Sequence, residues 1–270
     1  MPVSGLANRI RAIASGVALA RKTGRDPIVV WHRDSGLNAP FEAIFKTDSL
    51  PFQLRETGAL SYGLVYDIPR KRNLYLSALA PFFDRRLRIF QDANKGFDSE
   101  ESRIESIVAS SGRDIIIQSG FEFYKIDRAL LNSIFHISDR VKRRMDEILG
   151  GEAPEAALQI RRTDNAKSIS FSPLSSFDSI ARRLVDSDPG IRIFLATDDG
   201  ATKDFFRRTY PANVVLNPAE ASRSTVEGIV DAAAELYIMA ECRDIYGSYW
   251  SSYSEIAAMI GGSRLTVVKS

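Results

Sequence analysis

The chain has 270 residues, too many for one small core and enough for two α/β domains of ordinary size. Hydrophobic residues make up 44% of it and charged residues 26%, with a net charge of +2, so the molecule as a whole offers nucleic acid no basic field. The N-terminus lacks the basic-then-apolar pattern of a signal peptide and no run of about 18 apolar residues occurs, which predicts a cytosolic protein with at most peripheral membrane contact.

A helix is predicted from about Ala7 to Lys22, with Ile10, Ile13, Ala14 and Val17 on one face. Pro27 to Trp31 and Ile115 to Gln118 read as strands, and the stretch from Asp34 to Arg72 as loop-rich. The first 150 residues carry 23 Lys and Arg against 18 Asp and Glu, the remainder 13 against 16. The clusters Arg70-Lys71-Arg72, Arg85-Arg86-Arg88 and Lys142-Arg143-Arg144 read as solvated faces, with a phosphate-rich or lipid-linked acceptor surface as the alternative. Gly150-Gly151 with Pro154 is the expected linker, dividing the chain into residues 1–150 and 151–270.

The second half has the clearer rhythm. Strands are expected at Ala157 to Ile160, Ile191 to Ala196, Val214 to Leu216, Ile245-Tyr246 and Leu265 to Val268, with helical segments between them. Ser172-Pro173 reads as an N-cap with proline at the first helical position, and Ser224-Thr225-Val226-Glu227 as a capping box. Such alternation implies parallel strands with crossover helices, and a Rossmann-like sheet whose functional edge is at the strand C-termini. Cys242, the single cysteine, cannot form an intrachain disulfide; it lies in an apolar helical stretch and reads as structural.

Chemistry is therefore sought in the loops after those strands. In "IRRTDN", strand alternation puts Gln159 and Arg161 on one side and Ile160 and Arg162 on the other. Two fixed cations at the end of a buried strand either pair with Asp164 or Asp198 to tie loops together or await an anion, and guanidinium forks match phosphate oxygens. "FLATDDG" places Asp198 and Asp199 before a helix, where they cap it, accept from ribose hydroxyls or orient Arg161. "GSYWSSYSE" puts Gly247, Ser248, Ser251 and Ser252 ahead of another helix, an arrangement suited to anions. "SGLANRIRA" combines Gly5 with Asn8, Arg9 and Arg11 at a helix entrance but lacks the glycine spacing of a dinucleotide fingerprint and the Lys-Ser/Thr of a P-loop. "DSD" at Asp186 to Asp188 is followed by Pro189-Gly190 and reads as a turn, not a metal triplet.

Taken in order, "GLANRIRA", "VVWH", "IRRTDN", "ATDD" and "GSYWSSYSE" resemble the fucosyltransferase superfamily that includes α1,6-fucosyltransferases, nodulation fucosyltransferases and protein O-fucosyltransferases. The resemblance spans nearly the whole chain, with "RRTD" its most specific element. It implies an α/β, GT-B-like architecture of two Rossmann-like domains facing a cleft, with residues 1–150 on the acceptor side and residues 151–270 binding the GDP-sugar. The activity it implies is metal-independent, inverting glycosyl transfer from GDP-fucose or another GDP-sugar to a glycan or glycolipid, with no cofactor.

By the same resemblance Arg161 grips the β-phosphate and stabilises the leaving diphosphate, with Arg162 and Asp164 beside it. Asp198 and Asp199 match the family's acidic pair, Ser251 and Ser252 its phosphate-side serines, and Gly5, Asn8 and Arg9 the loop that closes on the donor from across the cleft. Glu235 stands where guanine recognition commonly uses Asp, with Asp231 one turn earlier as the alternative. Gln159 replaces a frequent His, and "NAKSIS" lacks the Lys and the nearby Glu of the α1,6 enzymes. The general base is unassigned among His32, Asp34 and Asp164. A protein that binds a GDP-sugar or glycan without catalysis is the rival reading.

Overall fold

The computed structural model describes residues 1–58, 87–90, 97–163 and 166–269. Contacts divide the chain into two compact units, Met1–Phe41 with Thr47–Ile126, and Glu42–Lys46 with Asp127–Ser270. The second unit thus begins ahead of Gly150, because the helices α3 (Arg128–Ile134) and α4 (Asp139–Leu149) pack into it: Tyr237 donates to Phe135 O at 3.0 Å and Arg144 pairs with Asp231. Gly150, with φ +63°, is the left-handed residue that ends α4.

The first unit opens with α1 (Leu6–Thr23), whose Ala12 and Leu19 pack against Ile104 and Val108 of α2 (Phe97–Ser110), with Ile89 and Phe123 in the same cluster. β1 (Ile28–His32) pairs in parallel with β2 (Gln53–Thr57), and β3 (Leu87–Phe90) with β4 (Ile115–Gln118). β2 lies inside the stretch expected to be loop-rich. Its "QLRET" has no buried residue and is held by its backbone pairing, so hydropathy gives no sign of it. The clusters Arg70-Lys71-Arg72 and Arg85-Arg86 lie outside the described residues.

The second unit contains a five-stranded parallel sheet in the order β7-β6-β5-β8-β9. Its strands are β5 (Ala156–Ile160), β6 (Ile193–Thr197), β7 (Val214–Leu216), β8 (Asp244–Ser248) and β9 (Arg264–Val268). β5 and β6 are buried at every residue, as expected of parallel strands covered on both faces. Leu158, Ile160, Ile193 and Leu195 join Phe177 and Ala181 of α6 (Leu174–Ser187) and Phe206 of α7 (Gly200–Thr209) in one core. Alternation turns Ala157, Phe194 and Ala196 the other way. α8 (Val226–Glu241) contacts β6, and α9 (Ser252–Gly261) contacts β8 and β9. This is the α/β, GT-B-like class expected.

Two cap assignments shift. Pro173, not Ser172, is the N-cap of α6; the Ser172 hydroxyl instead donates to Val268 O at 2.7 Å and accepts from Tyr249 N at 2.8 Å. α8 is capped by Thr225, which accepts from Gly228 N at 3.1 Å, while Glu227 pairs with Arg140 at 2.8 Å. The turn at Asp188 is an Asx turn, its Oδ1 accepting from Gly190 N at 3.0 Å. Cys242 is buried, donates weakly to Ile238 O, and has its thiol pKa pushed up to about 12 by burial, which makes it inert. Among the described residues no helix is long and apolar enough to cross a membrane.

Candidate functional site

From β5 the chain first builds outward to β6 and β7, then returns through α8 to place β8 and β9 on β5's other side. The direction of winding reverses between β5 and β8, and in open α/β sheets the crevice outside the strand C-termini at such a point is where ligands bind. The loops carrying Arg161, Asp198 and Ser251 follow β5, β6 and β8, which are neighbours in the sheet.

These loops are pinned to one another. Ser248 Oγ donates to Gln159 O at 3.1 Å and accepts from Arg161 N at 3.0 Å, so β8 fixes the backbone from which Arg161 departs. On the other side, Asp198 accepts from Arg162 N and from the Thr163 hydroxyl, both at 2.7 Å. Asp198 therefore positions the arginine loop. Asp199 serves the following helix, its Oδ2 taking Thr202 N at 2.8 Å and the Thr202 hydroxyl at 2.6 Å, the full N-cap of α7. Arg162 is turned away, donating to Ser172 O at 3.0 Å and holding α5 (Ala166–Phe171) in place. Asp164 lies outside the described residues.

α9 starts close against β8 because Gly247 has no side chain; a Cβ there would overlap the Ser254 hydroxyl. Ser251, the N-cap of α9, makes no side-chain capping bond, and its hydroxyl is buried without a partner. Gln159 Oε1 is likewise buried and unpartnered. Buried polar atoms normally find partners, and a hydroxyl beside free helix N–H groups and a guanidinium-bearing loop is suited to complete its bonding with an anionic ligand.

Further along α8, Glu235 hydrogen-bonds Asn217 and keeps part of its surface open. Burial of its carboxyl pushes the pKa from 4.5 up to about 7, against the pull of Lys203, the Asn217 bond and Arg144. The charge of Glu235 in turn helps raise the Tyr253 hydroxyl of α9, after burial. Asp231 is already held by Arg144 Nε at 2.5 Å. Of the two, Asp231 is committed to Arg144, whereas Glu235 bonds Asn217. The Lys203–Asn217–Glu235 arrangement had no sequence signal: Lys203 is buried with its ammonium on Asn217 O and Ala219 O, a role set by chain folding.

In the first unit, Gly5 is the N-cap of α1 with open space where its side chain would be. Asn8 donates to the Ser4 hydroxyl at 2.9 Å and accepts from Arg11 at 2.6 Å. Arg9 is fully buried. It donates to Ser4 O at 2.8 Å and His32 O at 2.5 Å, lies 4.7 Å from the Trp31 ring centroid, and its Nη2 approaches Asp34 Oδ2 at 2.9 Å as a charge contact rather than an aligned hydrogen bond. Asp34 also accepts from Gly36 N and Leu37 N, and the His32 ring faces Thr57 at 3.3 Å. These groups bind α1 to the end of β1. Among the described residues no group of three or more His, Cys, Asp or Glu is placed to hold a metal ion.

No family model and no curated protein matches the sequence. Solved structures do match. NodZ α-1,6-fucosyltransferase soaked with GDP-fucose superposes with a TM-score of 0.64 at 15% identity, over 95% of this chain and 89% of that one. The NodZ enzyme is from Bradyrhizobium. The chain has the fold of the fucosyltransferases. POFUT1 in its apo form matches with a TM-score of 0.58 at 12% identity, over 99% of this chain and 95% of that one. A FUT1 mutant of Arabidopsis thaliana in complex with GDP gives 0.64 at 14%, over 99% and 69%. The likeness is one of fold, and it extends along nearly the whole chain.

Proposed function

We propose that this chain is a metal-independent, inverting glycosyltransferase that takes a GDP-sugar, GDP-fucose first, and transfers the sugar to a glycan or glycolipid in the cytosol. The observation that supports this most is the buried, unpartnered Ser251 hydroxyl at the start of α9, with Arg161 at the end of the neighbouring β5. Solved structures of this fold containing GDP or GDP-fucose support the choice of nucleotide.

In the proposed reaction the acceptor hydroxyl attacks the anomeric carbon as the bond from that carbon to the β-phosphate oxygen breaks. Negative charge develops on the departing GDP. Arg161 and the N-terminus of α9, with Ser251 and Ser252, stabilise it, as a bound metal ion does in metal-dependent transfer. Asp198 and Ser248 hold the Arg161 loop in position. Glu235 accepts from the guanine edge. The acceptor proton needs a base. Asp34 is engaged by Arg9 and two backbone N–H groups, and this engagement favours, as a second reading, a protein that binds a GDP-sugar without transferring it.

The test is incubation with GDP-fucose in EDTA, with and without a mixture of glycans, while free GDP is followed. Release that persists in EDTA and fails in Arg161→Ala supports the transferase. GDP-fucose binding with no release in any mixture supports the second reading, and an absolute requirement for divalent metal overturns the proposed chemistry.

A further inference from the structure

In the first unit, β1 and β4 each have a parallel partner along one edge, β2 and β3 respectively. Their other edges border one cavity of about 580 Å³, lined by residues 28–30 of β1, residues 115–117 of β4, and Ile13, Gly16 and Val17 of α1. Gln53 N donates to Pro27 O at 3.0 Å on the β2 side, so alternation turns the backbone groups of Ile28 and Val30 toward the cavity. On β4 the groups of Ile115 and Ile117 face it, because Met1 N reaches Ile117 O at 2.7 Å from that side. Among the described residues, no backbone partner is present on that side for the N–H groups of Ile28, Val30, Ile115 and Ile117.

Residues 1–3 already fill one end of this cavity in strand geometry. Pro2 bridges Ser119 in parallel, Ser119 N donates to Met1 O at 3.2 Å, and Val3 N donates to Ser119 O at 3.1 Å. The ladder breaks at the Met1 amino group. It lies out of water against Ile117 O, and burial pulls its pKa from 8.0 down to about 5. A peptide N–H makes the same bond with no charge to desolvate. Continued backwards with its period of two, the ladder gives the second residue before Met1 an N–H for Ile115 O and a carbonyl for Ile117 N. The residue between faces β1.

We infer that this cavity is the seat of a parallel β-strand joined to the amino group of Met1, a segment of about four apolar residues that joins the two pairs into one sheet, β2-β1-strand-β4-β3. With it, α1 and β1 gain the preceding strand that completes a βαβ unit. Asp26 and Asp114, which stand just before β1 and β4, border the cavity at the end where a strand running the same way enters. A lipid chain would fill the same volume but leave the edge N–H and carbonyl groups of both strands unpaired, whereas a strand satisfies them. The strand leads through residues 1–3 to Ser4, whose carbonyl holds Arg9, and so ties the Arg9, His32 and Asp34 group to the middle of the sheet.

Amide hydrogen exchange read by mass spectrometry reports on the two edges directly. The chain as it stands is compared with the same chain extended at Met1 by Lys-Ile-Val-Val-Ile and with one extended by Lys-Gly-Ser-Gly-Ser. The expected result is protection of the β1 and β4 amides that rises about 100-fold with the apolar extension and stays unchanged with the Gly-Ser extension. In parallel, the protein is isolated from the cells that produce it, its intact mass and N-terminal sequence are determined, and it is titrated with cis-parinaric acid as a fluorescent apolar probe of the cavity. An apolar segment ahead of Met1, with no uptake of the probe, supports the strand. Equal exchange with the two extensions, a native chain that starts at Met1 or Pro2, or saturable binding of cis-parinaric acid by the native protein overturns it.

Discussion

Glu235→Gln isolates the consequence of burying one carboxyl. Burial holds the Glu235 pKa at about 7 in the folded chain against 4.5 for the free group. The folded state therefore binds the proton more tightly than the unfolded state. The stability due to this group is fully present below pH 4.5 and is lost as pH rises through 7. The displacement corresponds to about 3 kcal/mol once both states are ionised. Glutamine resembles the protonated acid and retains a group for Asn217 to bond, so the variant escapes the penalty. Its advantage over the parent is about 1 kcal/mol at pH 5 and about 3 kcal/mol at pH 8. Urea unfolding followed through Trp250, in a Trp31→Phe background so that only the second unit reports, measures the difference at both values. A pH-independent difference, or a variant that loses ground as pH rises, would refute the claim that burial dominates over Lys203 and Arg144.

Asp198 and Asp199, adjacent in sequence, separate by function. Asp199→Ala removes the α7 cap and lowers stability by about 1 kcal/mol with GDP affinity unchanged. Asp198→Ala frees the Arg162 amide and Thr163 and weakens GDP binding about tenfold, about 1.4 kcal/mol by calorimetry. Ser251→Ala deletes a buried hydroxyl that has no partner, so the unliganded protein is as stable as the parent or gains up to about 1 kcal/mol in urea, while GDP binds more weakly. Arg9→Ala strands Asp34 and two carbonyl groups and destabilises the first unit by about 3 to 5 kcal/mol, read through Trp31; full stability with lost GDP binding would make Arg9 a ligand-binding residue instead.

The strand and helix order of the second unit was legible because its strands β5 and β6 are buried at every residue and the starts of α6 and α8 fall within one residue of the capping signals. β8 is longer than the apolar pair Ile245-Tyr246 because Asp244 is neutralised by Arg243 and Arg264 at 3.0 and 2.5 Å, and Gly247 and Ser248 face α9 and β5. Arg264 and the Gln159 carbonyl come from distant segments, and hydropathy in a window does not contain them. The same holds for Arg9, whose burial depends on Ser4, His32 and Asp34 arriving together, and for Arg162, which lies next to Arg161 in sequence yet serves α5. The loops carrying Arg161, Asp198 and Ser251 were legible by residue type at strand ends. Which of their side chains support the loops became readable only from the hydrogen bonds.

Calorimetric titration of the protein and of Arg161→Ala with GDP, UDP and ADP in EDTA tests the central claim most directly. The account predicts GDP binding without metal, weaker or absent binding of UDP and ADP, and a loss of about 100-fold in Arg161→Ala, about 2.7 kcal/mol, as for a charge-assisted bond to phosphate. Equal affinity for the three nucleotides, or an Arg161→Ala variant that binds GDP as the parent does, would contradict it.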